Sequence, residues 1–467
     1  MKPTLEQQQV IDFIAGADKD EIVLIDAVAG AGKTSLLTEI VKVVPHTQGI
    51  YIAYNKSVAL EAGTKFPSTI ACSTVHSLAY RAVVKALGLK VGNFSYRDID
   101  EKIPYEEKLV ILDTVKEFCL SSYTSVEDYA EFVGLSPRQL SMSTKYLNLM
   151  YEGKIECSHD FYMKAFHMHL ADGSVTYPKQ DFVLVDEAGD LNEVTLEVFK
   201  LLPAKIKIAV GDSAQNIYAF NHTVNAFKLL KDVGTSFRLT ESFRVSKEIA
   251  ERIEHFCVAH IDKSMSFKGQ DVEDNTITSR AFLSRTNGSL INIMIDLMCS
   301  RTDFSLVRKA TEIFKLPLTM CFLKYQGKIN DPAYRHIQSD VDDWYEDAAL
   351  MAKFKTPHLY LASLYDFDVS LMSAIRLVMN KGKSTVLDAY DFAKACENKR
   401  TNLFLATSHS VKGLEFDEVS ILDDLNESLS KVLEDPLSTQ EVIEQEVNLY
   451  YVACSRARKV LNNARML

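Results

Sequence analysis

The stretch Glu21 to Ile40, EIVLIDAVAGAGKTSLLTEI, decides the fold. EIVLIDA (21–27) is short, apolar and rich in β-branched residues, the composition of a buried strand. A glycine turn, AVAGAGKTS (27–35), follows it, and TSLLTEIVKVV then carries apolar residues at helical spacing. Strand, glycine turn and helix in that order open a βα unit, and repeated βα units build a parallel sheet covered by helices. The turn also has a chemical reading. Backbone N–H groups of a glycine-rich loop at a helix N-terminus converge on phosphate oxygens. Ala29, Gly30, Ala31 and Gly32 then wrap the phosphates of a nucleotide, with Ser35 after them. Lys33 reaches the β- and γ-phosphates, and the Thr34 hydroxyl ligates Mg²⁺. The first glycine of the usual spacing is Ala27 here.

Working outward, strand-like runs recur at GIYIAY (49–54), TIACST (69–74), DFVLVDE (181–187) and KIKIAVGD (205–212). About one hundred residues between Thr74 and Asp181 carry helical periodicity and no comparable strand, which marks an insertion into the first core. A second set of buried runs follows at RAFLSR (280–285), NLFLATSH (402–409) and EVSILDD (418–424), around a mostly helical region with a break near Gln326 to Pro332. The expected fold is α/β, with two parallel-sheet cores, each interrupted by a mainly helical insertion. Residues 1–88 and 172–240 form the first core around insertion 89–171. Residues 241–295 and 398–467 form the second core around a reduced insertion, 296–397.

FVLVDEAGD (182–190) is the second chemical signal. A buried strand ending in Asp-Glu presents one carboxylate, Asp186, for Mg²⁺ and a second, Glu187, to activate a water. Asp190 is a further acid of the same turn.

Composition bounds the rest. A length of 467 residues suggests about three globular units. With 47% hydrophobic and 25% charged residues the chain has core material to spare, and 18 glycines with 11 prolines exclude a collagen-like or low-complexity chain. No apolar run approaches the ~18 residues of a membrane span, and MKPTLEQQQV has no secretory apolar segment. Eight cysteines without a C-x-x-C pair indicate free thiols in a reduced compartment. Cys157, His167 and His169 lack a fourth ligand at metal-binding spacing and read as ordinary helix residues. The acidic run DVDDWYED (340–347) reads as a solvated face. A net charge of -11 excludes a passive histone-like coat on nucleic acid but not a local basic groove.

In order, the chain shows LEQQQVIDFI, AVAGAGKTS, YIAYNKSVALEA, STVHSLAY, VLVDEAGD, VGDSAQNIYAF, LTESFRVSKEIA, FLSRTNGSL, ATSHSVKGLEFDEV and EQEVNLYYVACSRARKVL. This series, spanning Leu5 to Leu461, resembles the ordered motifs of superfamily 1 DNA helicases of the UvrD/Rep type. AYNKS (53–57) and SHDFYMK (158–164) are closest to the F-box DNA helicase branch, although the chain begins directly at the glutamine motif and leaves no room for an F-box. The resemblance implies two RecA-like cores, ATP and Mg²⁺ as cofactors, and a role for each motif residue. Gln7 matches the glutamine whose amide reads the adenine edge, with Gln8 left open as its substitute. Phe243 matches the aromatic against the adenine face, and Glu415 the acid near the ribose. Gln215 matches the glutamine completing the nucleotide shell. Arg244 and Arg456 match the two arginines that meet the γ-phosphate from the second core.

For the DNA track the resemblance implies Tyr54, Asn55 and Lys56, Thr74 with His76, Tyr218 with Phe220, Arg285 with Asn287, and Thr407 with His409. Tyr218 reads equally as a core aromatic. The implied activity is an ATP-dependent single-stranded-DNA translocase and helicase, 3′-to-5′, acting on single strands and duplex junctions beside replication or recombination proteins. No membrane is involved, and the expected location is cytoplasmic or wherever the DNA lies. Four departures stand out. Gly189 replaces the glutamine of Asp-Glu-x-Gln, Asn221 replaces an arginine, the second insertion is shorter than the family's large regulatory subdomain, and no nuclease-like extension follows the last motif. The first leaves a DNA-binding ATP switch with poorly coupled hydrolysis as the alternative. A P-loop enzyme acting on a small molecule is the more distant rival.

Overall fold

The computed structural model describes every residue except 1, 18–19, 45–46, 218–222, 325–328 and 342–368, and of Lys324 only the backbone. It divides into two compact units, Met1–Glu241 and Ser242–Leu467, each described by itself.

In the first unit the strands are β1 (Glu21–Ala27), β2 (Gly49–Ala53), β3 (Ile70–Thr74), β4 (Gln180–Val185), β5 (Ala204–Gly211) and β6 (Thr235–Leu239). They form one parallel sheet in the order β3-β2-β4-β5-β1-β6. Helices cover both faces of such a sheet, so its central strands carry no polar side. Accordingly β2 is buried at all five positions and β4 at its last four. β6 has no counterpart in the sequence expectation. TSFRL alternates polar and apolar residues because it is an edge strand with one side in solvent.

Helix α1 (Leu5–Ala15) begins on a capping box, Thr4 with Gln7. Helices α2 (Lys33–Val43), α3 (Lys56–Lys65) and α4 (Val75–Ala79) start directly after β1, β2 and β3. The segment between β3 and β4 adds α5 (Tyr105–Leu120), α6 (Val126–Val133), α7 (Pro137–Tyr151) and α8 (His159–Ala171). Their apolar faces share one core with the sheet: Phe118, Tyr146 and Phe166 belong to the same cluster as Ile50 and Val185.

The second unit holds a ribbon of β7 (Glu241–Ser246) and β8 (Lys268–Gln270), and a parallel five-stranded sheet. The sheet's strands are β9 (Arg280–Ser284), β10 (Ser305–Leu306), β11 (Leu403–Thr407), β12 (Phe416–Ile421) and β13 (Ala457–Asn462), in the order β10-β11-β9-β12-β13. The sequence reading held ARKVLN within a motif. It is an edge strand, alternately buried and exposed, which lets it carry Arg458 and Lys459. Helices between β9 and β11 include α9 (Asn287–Cys299) and α10 (Val369–Cys396), the latter interrupted at Gly382 (φ 80°). They pack on the sheet in one cluster with Leu405. Of the break near Gln326, residues 326–328 lie outside the described residues, while Pro332–Ile337 form a 3₁₀ turn. Most of DVDDWYED also lies outside them. The molecule is thus mixed α/β with parallel sheets.

Candidate functional site

In open parallel sheets ligands bind beyond the carboxyl ends of the strands, and the candidate residues of the first unit gather there. The turn after β1 needs left-handed backbone at Gly30 (φ 80°) and Gly32 (φ 74°), which glycine alone adopts without steric cost. Gly32 is also the residue that starts α2, so the amides of Lys33, Thr34 and Ser35 sit at a helix N-terminus. The Lys33 ammonium lies 3.0 Å from Glu187 Oε2. Thr34 Oγ1 donates to Asp186 Oδ2 at 2.9 Å. Loop and acidic strand end therefore meet, although more than one hundred and fifty residues separate them.

The electrostatics follow from burial. Desolvation pulls the Lys33 ammonium down, but the carboxylates of Glu187, Asp186 and Asp212 outweigh it and hold the pKa above the ordinary lysine value. Burial and the adjacent Glu187 push Asp186 above the ordinary carboxylate range, against Lys33, Tyr51 and Thr34. Two acids crowded beside one hydroxyl form an oxygen donor set of the kind a hard divalent cation takes. Thr34 and Asp186 are the residues that fit Mg²⁺. Glu187 is held at φ 55°, a left-handed conformation that costs a non-glycine residue about 1–3 kcal/mol and recurs at functional sites.

Gln7 and Gln8 are now separated. Gln7 is buried and its Nε2 donates to the Ala31 carbonyl at 3.0 Å, while Gln8 is exposed and bonds Asp12. Gln7 thus touches the phosphate loop itself. Gln215, also buried, donates to Asp212 Oδ2 at 2.8 Å just past β5.

Three residues of this network escaped the sequence reading. Tyr51, fully buried in β2, donates its hydroxyl to Asp186 Oδ2 at 2.8 Å. Asp26 accepts from the amide and hydroxyl of Ser213, at 2.9 and 2.8 Å, tying the end of β1 to the turn after β5. Asp212 caps that turn through Ala214 N. The signal was present: a hydroxyl or carboxylate inside an otherwise apolar strand needs a partner.

Gly189 packs against that same turn. A Cβ there would stand 3.1 Å from the Asp212 carbonyl oxygen, closer than ordinary packing allows. Asp190 is buried beside it and lines a small cavity of about 130 Å³ with Tyr54, His76 and Asp186. Of the strand-facing candidates, Tyr54 is half exposed, Asn55 caps α3 through Val58 N, and Lys56 is exposed. Thr74 caps α4 through Ser77 N. Next to it, His76 meets Tyr162 edge to face at 5.7 Å, and burial lowers its pKa. Tyr218, Phe220 and Asn221 lie outside the described residues.

In the second unit the candidate side chains are already engaged. Arg244 Nε donates to Glu415 Oε2 at 2.7 Å, which joins two residues expected to serve different parts of the nucleotide. Phe243 beside it is half buried on β7. Arg456 is buried, and its guanidinium donates to Val452 O and Ser455 Oγ, both at 2.9 Å. Arg285 grips Glu446 through two nitrogens at 2.7–3.2 Å, and Ser428 adds a third donor to that carboxylate. The Arg285 guanidinium thus ties the end of β9 to the helix Gln440–Cys454. Asn287 sits in the first turn of α9 with Oδ1 buried. Thr407 bonds Ser410, and burial together with Arg285 pushes His409 down to about 4.

Among the described residues no His, Cys, Asp and Glu cluster suits a protein-only metal cage, and His169 instead bonds the Tyr151 hydroxyl at 2.9 Å. Nor is any described helix long and apolar enough to cross a membrane.

A parallel sheet with a phosphate loop after β1 and an Asp-Glu pair after β4, one strand removed across β5, defines a P-loop nucleotide-binding protein. Known proteins narrow the class. Residues 11–221 match the family described as an AAA domain, and residues 374–462 match the UvrD-like helicase C-terminal domain. Together these matches support a superfamily 1 helicase of the UvrD/Rep type. It is 24% identical to F-box DNA helicase protein 1 of Schizosaccharomyces pombe and 25% identical to F-box DNA helicase 1 of Gallus gallus. Those matches cover 98% and 99% of this chain but only 57% and 49% of the relatives.

Proposed function

We propose that the chain is an ATP-dependent single-stranded-DNA translocase and DNA helicase, built on two RecA-like cores and moving 3′-to-5′. One observation carries the ATPase part: Lys33 paired with Glu187, and Thr34 with Asp186, at the carboxyl edge of a parallel sheet. In this reading Lys33 exchanges Glu187 for the γ-phosphate when ATP binds. That exchange releases the Glu187 carboxylate to orient a water and accept its proton. Thr34 and Asp186 hold Mg²⁺, which supplies neutralisation of charge developing between the β- and γ-phosphates. Gln7, already on the phosphate loop, offers its amide to the adenine edge. Arg244 and Arg456 stabilise the transferred phosphoryl group from the second core. Alternating engagement of two cores with ATP becomes strand movement through hinge closure. The DNA motifs and the names of the relatives support the substrate class, and duplex junctions and replication or recombination proteins are the partners this reading implies.

Two measurements test it. Single-stranded DNA is expected to stimulate ATP hydrolysis many-fold, and Lys33→Ala is expected to reduce turnover to background while leaving strand binding. Duplexes with a 3′ tail are expected to be unwound and those with a 5′ tail left intact. ATP hydrolysis indifferent to DNA, or normal turnover in the Lys33 variant, overturns the assignment. The alternative of a weakly hydrolysing DNA switch draws on Gly189, which has no amide to link nucleotide and DNA-facing loops. It predicts strand binding governed by ATP without unwinding.

A further inference from the structure

Beside Thr74 the first unit carries an open cleft of about 510 Å³. One wall carries Ser73 of β3 and then, four residues apart on the helical segment that follows, Ser77, Arg81 and Lys85. In a regular α-helix a step of four residues overshoots the full turn by ~40°, so such a series drifts around the axis. Here the chain passes from α4 into a π-helical turn, Tyr80–Val84, where the Lys85 amide bonds the Tyr80 carbonyl five residues back. The wider turn advances each residue less, which offsets the drift, and Arg81 and Lys85 line the same cleft. Single π-turns of this kind recur at functional sites. Arg81 is anchored by Nε to the Ser77 carbonyl at 3.1 Å. Arg81 and Lys85 are exposed, and neither has a carboxylate partner among the described residues.

The charge of the cleft is distinctive. No carboxylate lines it, in a chain whose net charge is -11. The clefts around Phe94 and Lys179 carry Asp113 with Asp160, and Asp20 with Glu21. Its rim is aromatic. Tyr80 is 40% exposed and meets Tyr162 edge to face at 6.1 Å. Tyr162 in turn is fixed by His159, whose Nδ1 lies 2.8 Å from its hydroxyl. Two cations spaced along a wall and a half-exposed ring at its lip match a chain of phosphates with unpaired bases. A stacked duplex offers no base face to such a ring.

We propose that this cleft extends the DNA track: Arg81 and Lys85 bind successive phosphates of the single strand that passes Thr74 and His76, and Tyr80 stacks one of its bases. This rests on the DNA-translocase reading above.

The test uses the full chain and labelled oligo-thymidylates of increasing length, with anisotropy measured across a salt series. Each phosphate contact contributes a slope of about -0.7 in log K against log salt on single strands. The double variant Arg81→Gln/Lys85→Gln is therefore expected to bind more weakly, with a slope shallower by about 1.4. Tyr80→Ala is expected to weaken binding about tenfold without changing the slope. A second readout is local: Cys72 is a free thiol lining the same cleft. Saturating oligo-thymidylate is expected to slow its alkylation, read by mass spectrometry. Wild-type affinity and slope in the double variant, with Cys72 unprotected, overturn the proposal and leave the function reading standing. So does a loss confined to blunt duplex, which would make the cleft a duplex contact. A wild-type chain that binds no oligo-thymidylate overturns both.

Discussion

The carboxyl edge of the first sheet and the arginines of the second unit differ in what their side chains are doing. On the first sheet the candidate groups hold one another: Lys33 with Glu187, Thr34 and Tyr51 with Asp186, Gln7 with the phosphate loop. The constellation is held together by its own side chains. In the second unit each of the three candidate arginines is tied to a partner of its own unit, Arg244 to Glu415, Arg285 to Glu446 and Arg456 to the Val452 carbonyl and the Ser455 hydroxyl. Preorganisation suits groups that bind charge continuously. Ion pairs that exchange partners suit groups that respond to a ligand. Half-exposed Glu415 is the more readily exchanged of the two acids, since the pair Arg285–Glu446 is nearly closed to solvent.

The largest effect that could break this contrast is at Arg244. Arg244→Ala is expected to lower strand-stimulated ATP turnover by about 10³–10⁵ while nucleotide still binds. A loss confined to nucleotide affinity would place Arg244 with the structural arginines. Next is Arg285→Ala, which strands Glu446 in a poorly solvated site and is expected to destabilise the second unit by about 3–5 kcal/mol. Denaturant melts check it, and Arg285→Met/Glu446→Leu is expected to recover most of the loss. His409 sharpens the same experiment. Its native pKa of about 4 lies below the ordinary 6.5, so the unfolded chain takes up a proton across that window and the native chain does not. Stability is therefore expected to fall as pH drops from 6.5 to about 4. Arg285→Ala should shrink that dependence, because Arg285 is one of the groups holding His409 neutral.

Smaller effects probe the preassembled side. Tyr51→Phe removes the hydroxyl that orients Asp186 and is expected to weaken metal binding about 10–100-fold. Electron paramagnetic resonance of Mn²⁺ with ADP reads this independently of turnover. Unchanged Mn²⁺ affinity would reduce Tyr51 to a packing residue. Smallest is Gly189→Gln. The new Cβ presses on the Asp212 carbonyl, and turnover is expected to change by less than about tenfold, under 1.4 kcal/mol. A large gain in DNA stimulation would instead identify Gly189 as a weakened coupling element.

The cluster at the carboxyl edge of the first sheet was legible because its residues sit next to strong local signals. The run EIVLIDA followed by a glycine turn, and FVLVDE ending in acids, specify strand, loop and chemistry in a few residues each. The edge strands β6 and β13 were not legible, since a half-solvated strand carries charged residues and loses its apolar signature. Tyr51 looked like one more aromatic in a buried strand, and only the neighbouring β4, paired to β2, supplies the Asp186 that it bonds.

By itself, the order of residues determined the βα pattern, the phosphate loop and the identity of the acids, because local periodicity and backbone freedom at glycine act over a few positions. Tertiary structure alone decided who faces whom. It buried Gln7 against the Ala31 carbonyl, bound Arg285 to Glu446 and set the Tyr51 hydroxyl on Asp186, since long-range partners are set by burial and by the need of each buried polar or charged group for a partner.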